Sequence, residues 1–266
     1  MSTAAHRIEK APRVDWPRFH KTPAKAAGEL VYAIGDIHGR YDLLIEMLGM
    51  IVADALGRQN KRVPVLVTCG DYVDRGPDSA RVLTALEWIR RDGRFRLRAL
   101  KGNHEAAFLA FLSDPCDGTA WLGFGGDATL RSYGVRPPID FHDPIDLVRA
   151  RDDLLERMPA AHLRVLQELE MMVVLGDYAF VHAGIRPGVP LARQKAEDLL
   201  WIRGPFLDRT EPFEKRIVHG HSWIEATPEI YDNRIGLDTG AYETGVLTAA
   251  RIEDGEVALF QTGNCP

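Results

Sequence analysis

Asp36 and His38, Asp71, Asn103, His182 and His221 are the residues of this chain whose types and spacing could hold metal ions. They fall in five glycine-flanked segments: Gly35-Asp36-Ile37-His38-Gly39, Gly70-Asp71-Tyr72-Val73-Asp74-Arg75-Gly76, Gly102-Asn103-His104-Glu105, Val181-His182-Ala183-Gly184 and Val218-His219-Gly220-His221. Carboxylate, amide and neutral imidazole ligands together suit borderline divalent ions such as Mn, Fe, Zn or Co, and a set without thiolates disfavours a closed structural zinc site. Asp36 and His38, two apart, can point the same way from a loop. Asp71 can bridge two ions through its two oxygens, and Asn103, His182 and His221 complete the second. The flanking glycines let the backbone turn sharply enough to aim these ligands. One histidine at a strand end, or one Gly-Asp pair, would signify only a core residue or a turn. Five such segments in succession carry more, whereas His6, His20, His142 and His162 lack that setting and read as ordinary histidines.

The elements that must position these ligands are legible from periodicity. Leu30–Ile34, Val63–Thr68 and the stretch holding Phe95, Leu97 and Leu100 are short apolar runs, each ending at a glycine, and read as buried strands. Leu43, Leu44, Met47, Leu48, Ile51 and Val52 follow helical spacing, as do Val82, Leu83, Leu86 and Ile89. The alternation predicts a layered α/β architecture with a largely parallel first sheet. Ligands at the carboxyl ends of such strands converge on one crevice. In the second half, Gly176-Asp177 and Glu253-Asp254-Gly255 each separate two apolar runs, a hairpin signal. An antiparallel second sheet is therefore expected to pack on the first. Residues 113–157 read as a helical, glycine- and proline-punctuated insertion beside the site. Residues 1–28 read as a polar arm pinned by Trp16 and Phe19, and 29–266 as a single domain.

Composition excludes several classes. A net charge of −5 gives no sign of a binder of nucleic-acid duplexes, which would be basic. Three cysteines without a C-x-x-C pair argue against a disulfide scaffold and fit a reducing cytoplasm. No run approaches 18 apolar residues, so no membrane span is expected. The G-x-S-x-G elbow and the G-x-x-x-x-G-K-[ST] loop are both missing, which removes serine hydrolases and P-loop nucleotide enzymes.

The first three segments resemble the three signatures of the phosphoprotein phosphatase family of metallophosphoesterases. His182-Ala183-Gly184-Ile185 and Gly236-Leu237-Asp238-Thr239-Gly240-Ala241 resemble its bacterial serine/threonine phosphatase branch. The resemblance spans residues 30–252. It implies two mixed β-sheets sandwiched between helices and two divalent ions, Mn first among them, with Fe or Zn as alternatives. By the same resemblance, Asp36, His38 and Asp71 bind one ion, and Asp71, Asn103, His182 and His221 the other. His221 rather than His219 is chosen because the family motif is Gly-His followed by Ser or Thr, here Gly220-His221-Ser222. Such a pair of ions ionises a bridging water that attacks phosphorus. Arg75 and Arg203 would neutralise the phosphoryl oxygens, and His104, oriented by Asp74, would protonate the leaving oxygen. Where bacterial relatives carry Asn before the paired glycines, this chain has Phe124, a departure that touches substrate contacts rather than metal chemistry. The implied activity is hydrolysis of phosphomonoesters, first of phosphoserine and phosphothreonine in proteins. The alternatives are dinucleoside polyphosphate hydrolysis and, from another class, a catalytically silent binding protein. Substrates would be phosphoproteins or small phosphoesters, and the sequence leaves the oligomeric state open.

Overall fold

A computed structural model describes residues 9–10, 24–58, 62–116 and 118–263. The strands are β1 (Glu9–Lys10), β2 (Val31–Ile34), β3 (Val65–Thr68), β4 (Arg96–Ala99), β5 (Val173–Leu175), β6 (Tyr178–Phe180), β7 (Arg216–His219), β8 (Glu229–Ile230), β9 (Arg234–Gly236), β10 (Thr248–Glu253) and β11 (Glu256–Gln261). The helices are α1 (Tyr41–Leu56), α2 (Ser79–Asp92), α3 (Asn103–Ser113), α4 (Thr119–Trp121), α5 (Asp127–Ser132), α6 (Pro144–Arg157), α7 (Ala160–Gln167), α8 (Ala196–Trp201), α9 (Gly204–Leu207) and α10 (Ala241–Thr244), with a π-helical turn at Leu122–Gly126.

The first sheet has the order β1-β11-β10-β2-β3-β4, with β2, β3 and β4 parallel and β10 antiparallel to β2. Because side chains alternate across a strand, β2 serves two cores at once. Tyr32 and Ile34 face α1 and α2 with Leu44, Met47, Leu83 and Leu86. Val31 and Ala33 face the other way, onto Tyr178, Phe180, Val218 and Ile235 of the second sheet. That sheet in turn places Ala179, Val181 and Ile217 on its far side against Leu199, Ile202 and Phe206 of α8, α9 and the turn between them. The layers therefore run helix, sheet, sheet, helix, the two-sheet architecture that the sequence implies.

The second sheet departs from the antiparallel pairing expected of its turn signals and agrees with the mixed sheet that the family resemblance implies. Its order is β5-β6-β7-β9-β8, and although β5–β6 is the expected hairpin, β6–β7 and β7–β9 pair in parallel. The sheet is mixed rather than antiparallel. The β10–β11 hairpin joins the first sheet instead, because β10 pairs with β2. Turn residues report a local reversal; which sheet a hairpin completes depends on contacts far away in sequence.

Residues 119–158 share the α1/α2 core through Trp121, Leu130, Leu147, Ala150 and Leu154. Of the N-terminal segment, β1 pairs with β11 and Ala26 is buried between the sheets. Trp16 and Phe19 lie outside the described residues.

Candidate active site

The ligand candidates stand just past the carboxyl ends of β2, β3, β4, β6 and β7, where parallel strands open onto a crevice. The turns that carry them are tight. His38, Asp71, Asp74, Arg75 and His221 all have positive φ, at 44, 51, 72, 66 and 64°. Side chains adopt that region rarely and at a cost, and such residues concentrate at functional sites. The neighbouring glycines have no room for a side chain. A Cβ on Gly102 would lie 2.1 Å from Asp71 Oδ1, and one on Gly220 would lie 1.9 Å from Asp36 Oδ1.

Asp71 is the hub. His38 Nε2 lies 3.4 Å and His104 Nε2 3.8 Å from its Oδ2, and His182 Nε2 lies 3.5 Å from its Oδ1. Asn103 Oδ1 sits 2.8 Å from His182 Nε2 and 2.9 Å from His221 Nδ1. Two donor clusters result, His38–Asp71–His104 and Asp71–His182–His221, all buried. Asp36 accepts the His221 amide N–H through Oδ2 at 2.9 Å. Its Oδ1, like His221 Nε2, is buried without a hydrogen-bond partner among the described residues. Orphaned polar atoms are rare in a folded interior. Two of them inside a converging set of carboxylate, amide and imidazole donors fit a pair of divalent cations.

The ligand tautomers are set by backbone carbonyls. His38 Nδ1 donates to Val73 O at 2.9 Å and His182 Nδ1 to Cys69 O at 2.8 Å, so each presents a bare Nε2 to the centre. Burial lowers both imidazoles, His38 to about 3, which keeps them neutral and able to ligate. Burial opposes ionisation of Asp71, yet the surrounding histidines, His182 first, hold its carboxyl below the usual range.

His104 and Asp74 form a second device. His104 Nδ1 donates to Asp74 Oδ2 at 2.7 Å, while Trp121 Nε1 and Thr129 Oγ1 fix the same carboxylate. Burial disfavours a charged His104, but Asp71 and the bonded Asp74 outweigh it and raise the imidazole. Arg75 and Arg203 are exposed at the mouth. Arg75 lies over the Tyr242 ring at 4.6 Å, and Arg203 donates to His221 O at 3.3 Å.

Several participants escaped the sequence reading. Glu105 accepts the amides of Asp71, Tyr72, Val73 and Gly102 and so ties the second segment to the third. Its position in Gly102-Asn103-His104-Glu105 was the available signal, since the third helical residue is where a carboxylate caps the helix start. Asp238, two residues beyond β9, obeys the same strand-end rule as the candidate ligands. It is buried, and burial together with the Asp71 charge pushes it up to about 6. His219 is not at the centre: its ring packs on Phe206 and its Nδ1 donates to Gly220 O.

Residues 30–242 match the calcineurin-like phosphoesterase family, and the chain belongs to that family of metal-dependent phosphoesterases. It is 35% identical to serine/threonine-protein phosphatase 2 of Escherichia coli over 84% of this chain and 93% of that one. It is 24% identical to an asymmetrical bis(5'-nucleosyl)-tetraphosphatase of Halalkalibacterium halodurans over 84% and 90%. A solved protein serine/threonine phosphatase of Saccharomyces cerevisiae superposes with a TM-score of 0.52 at 14% identity, covering 90% of this chain and 82% of that one, a likeness of fold.

Proposed function

We propose that this phosphatase hydrolyses phosphoserine and phosphothreonine in proteins, with two divalent ions, Mn first, held by Asp36, His38, Asp71, Asn103, His182 and His221. The observation that carries the reading is the pairing of the Asp71-centred donor clusters with a buried His104–Asp74 dyad at their edge. The 35% identity to a serine/threonine-protein phosphatase along nearly its whole length supports the substrate class. When bound, the ions supply Lewis acidity and an attacking water ionised at neutral pH.

The chain's own residues do the rest. Asp74 holds the Nδ1 proton of His104, leaving Nε2 to carry a second proton into the crevice, where it is delivered to the leaving oxygen. Arg75 and Arg203 present guanidinium forks to the phosphoryl oxygens, a match in charge and geometry. Asn103 helps to orient substrate as well as metal. Among the described residues no helix is long and apolar enough to cross a membrane, in keeping with action on water-borne phosphoesters.

A second reading, hydrolysis of dinucleoside polyphosphates, draws on the tetraphosphatase similarity. Steady-state rates with Mn on a phosphoserine peptide, a dinucleoside tetraphosphate and an aryl phosphate separate the two. Faster turnover of the peptide is expected. A kcat/KM on the tetraphosphate well above that on the peptide would overturn the first reading in favour of the second.

A further inference from the structure

Arg75 and Arg203 stand at the mouth of the same crevice but are held in different ways. Arg203 is tied by a hydrogen bond that it donates to His221 O at 3.3 Å. Arg75 has only its backbone fixed, in a turn at φ 66° where its amide donates to Gly125 O at 3.2 Å. Its exposed side chain makes no ion pair among the described residues. The head group instead meets an aromatic ring: Cζ stands over Tyr242, 4.6 Å from the centroid. That ring is itself well anchored. Tyr242 lies in α10, a short helix clamped from several sides. Gly240 N–H donates to Asp238 Oδ1 at 2.9 Å, Thr244 Oγ1 to Thr239 O at 2.7 Å, and Arg40 Nη1 to Ala241 O at 2.8 Å. Gly240, at φ 64°, presses on Trp223, where a Cβ would come within 2.6 Å of the indole. The Tyr242 ring then packs edge to face with His38, centroids 5.2 Å apart at 81°, and with Trp223 at 6.3 Å and 86°.

We propose that Tyr242 is a positioning residue: its ring holds the Arg75 guanidinium at the crevice with charge and N–H donors free for the phosphoryl oxygens. The inference rests on the phosphoesterase reading above and on Arg75 as the group that meets phosphate. An exposed arginine has many rotamers, and confining it to one costs conformational entropy that each phosphate contact would otherwise have to offset. A carboxylate partner could confine it, but would occupy its donors and cancel the charge that captures a dianion. An aromatic face does neither. It attracts the cation through the ring quadrupole and leaves the N–H groups at the guanidinium edge open. The donor is then in place before the substrate arrives, which is the condition under which a charge contributes most to a developing anion. Because the same ring touches His38, it also fixes where Arg75 stands relative to the Asp71-centred donors. Tyr242 itself carries no proton in the reaction and acts through Arg75.

The test is a double-mutant cycle on the Mn-loaded protein, read as kcat/KM on a phosphoserine peptide and, separately, as the dissociation constant of inorganic phosphate by calorimetry. Tyr242→Leu is expected to lower kcat/KM about tenfold and to weaken phosphate binding by a similar factor, the scale of one partly exposed cation–ring contact. Tyr242→Gln, also without a ring, should match it. Tyr242→Phe, which keeps the ring face, should stay within about twofold of native on both readouts. In an Arg75→Ala background, Tyr242→Leu should change either readout by no more than about twofold, because the group it serves is gone. Metal content and melting temperature of Tyr242→Leu should match those of the native protein. Native kcat/KM and phosphate affinity in both ringless variants overturn the proposal. So does a loss that persists undiminished in the Arg75→Ala background or that comes with depleted metal, either of which would mean that the ring serves His38. If the native protein leaves the peptide intact yet binds phosphate, the protein-phosphatase reading fails and the phosphate cycle still decides the role of Tyr242. A native protein that binds no phosphate overturns the proposal as well.

Discussion

Asp74 is buried and gives both carboxylate oxygens to neighbours on three elements: His104 at the start of α3, Trp121 of α4 and Thr129 of α5. A carboxylate so enclosed is built to fix an imidazole rather than to travel. His104→Asn or Asp74→Asn is therefore expected to lower kcat by about 10²–10⁴-fold, the usual scale for a general acid. Metal content measured on the purified protein should stay unchanged. The loss should be largest on substrates with poor leaving groups, because they need the proton most; full activity on such a substrate would remove the acid role. Arg75 is a different kind of residue, exposed and resting on Tyr242, with no ion pair among the described residues. In a chain of net charge −5, the long-range field repels a phosphate dianion, so capture must come from local cations. Arg75→Ala should cost about 2–4 kcal/mol in kcat/KM, comparable to one preorganised donor at a developing anion. It should also weaken inhibition by inorganic phosphate and leave the melting temperature alone. If kcat/KM and phosphate inhibition both stay within about twofold of native, the charge account fails.

At the scale of elements, the turns that bring the candidate ligands together were legible because each obeys a local rule. An apolar run sits inside the sheets, ends at a glycine, and the next polar residue must face the crevice. Val31–Ile34 followed by Asp36, and Val65–Thr68 followed by Asp71, show the rule at work. Glu105 was illegible in its full role, since its carboxylate caps not only its own helix but a turn more than thirty residues earlier. The parallel pairing of β6, β7 and β9 was equally hidden, because long crossovers leave no turn signature. His162, read as an ordinary histidine, holds a helix junction: its Nδ1 meets Tyr133 Oη at 2.8 Å and its Nε2 meets Thr84 Oγ1 of α2 at 3.1 Å. Burial lowers its basicity, only partly offset by Glu87. The unfolded chain takes up a proton as pH falls through about 6.5, while the folded chain resists until its own lower value. Stability therefore falls as pH drops below about 6.5, by at most about 1.4 kcal/mol per pH unit from this residue. Comparing native protein with His162→Gln by urea unfolding at neutral pH and near pH 5.5 should show their stabilities converging at the lower pH. A constant difference would mean that His162 does not titrate differently on folding.

For the molecule as a whole, the site is also the seam between the two sheets. Asp36, Asp71 and Asn103 follow strands of the first sheet, and His182 and His221 follow strands of the second. Ions gripped by both sets would cross-link the sandwich at its open end. Without them, five buried acids, Asp36, Asp71, Asp74, Glu105 and Asp238, share one region. Burial there, with the charges of the neighbouring carboxylates, pushes Glu105 up to about 8 and raises Asp36 well above its ordinary value. Neutralising that region favours the folded state alone, so metal must stabilise by linkage, by about 2.7 kcal/mol for a site held at a hundred times its dissociation constant. For a chain of this size that corresponds to a rise of roughly 5–10 °C in melting temperature. Stripping the protein with a chelator should lower the transition, adding Mn back should restore it, and amide exchange should quicken at the ends of β3, β6 and β7 before it does so in α1. Asp71→Asn, which removes the carboxylate shared by both clusters, should abolish most of the metal-dependent increment while leaving the metal-free transition near that of the stripped native chain. An identical transition with and without metal would show that the sheets are held by the apolar core between them, centred on Val31, Val67, Phe180 and Val218, and that the ions, when bound, serve chemistry alone.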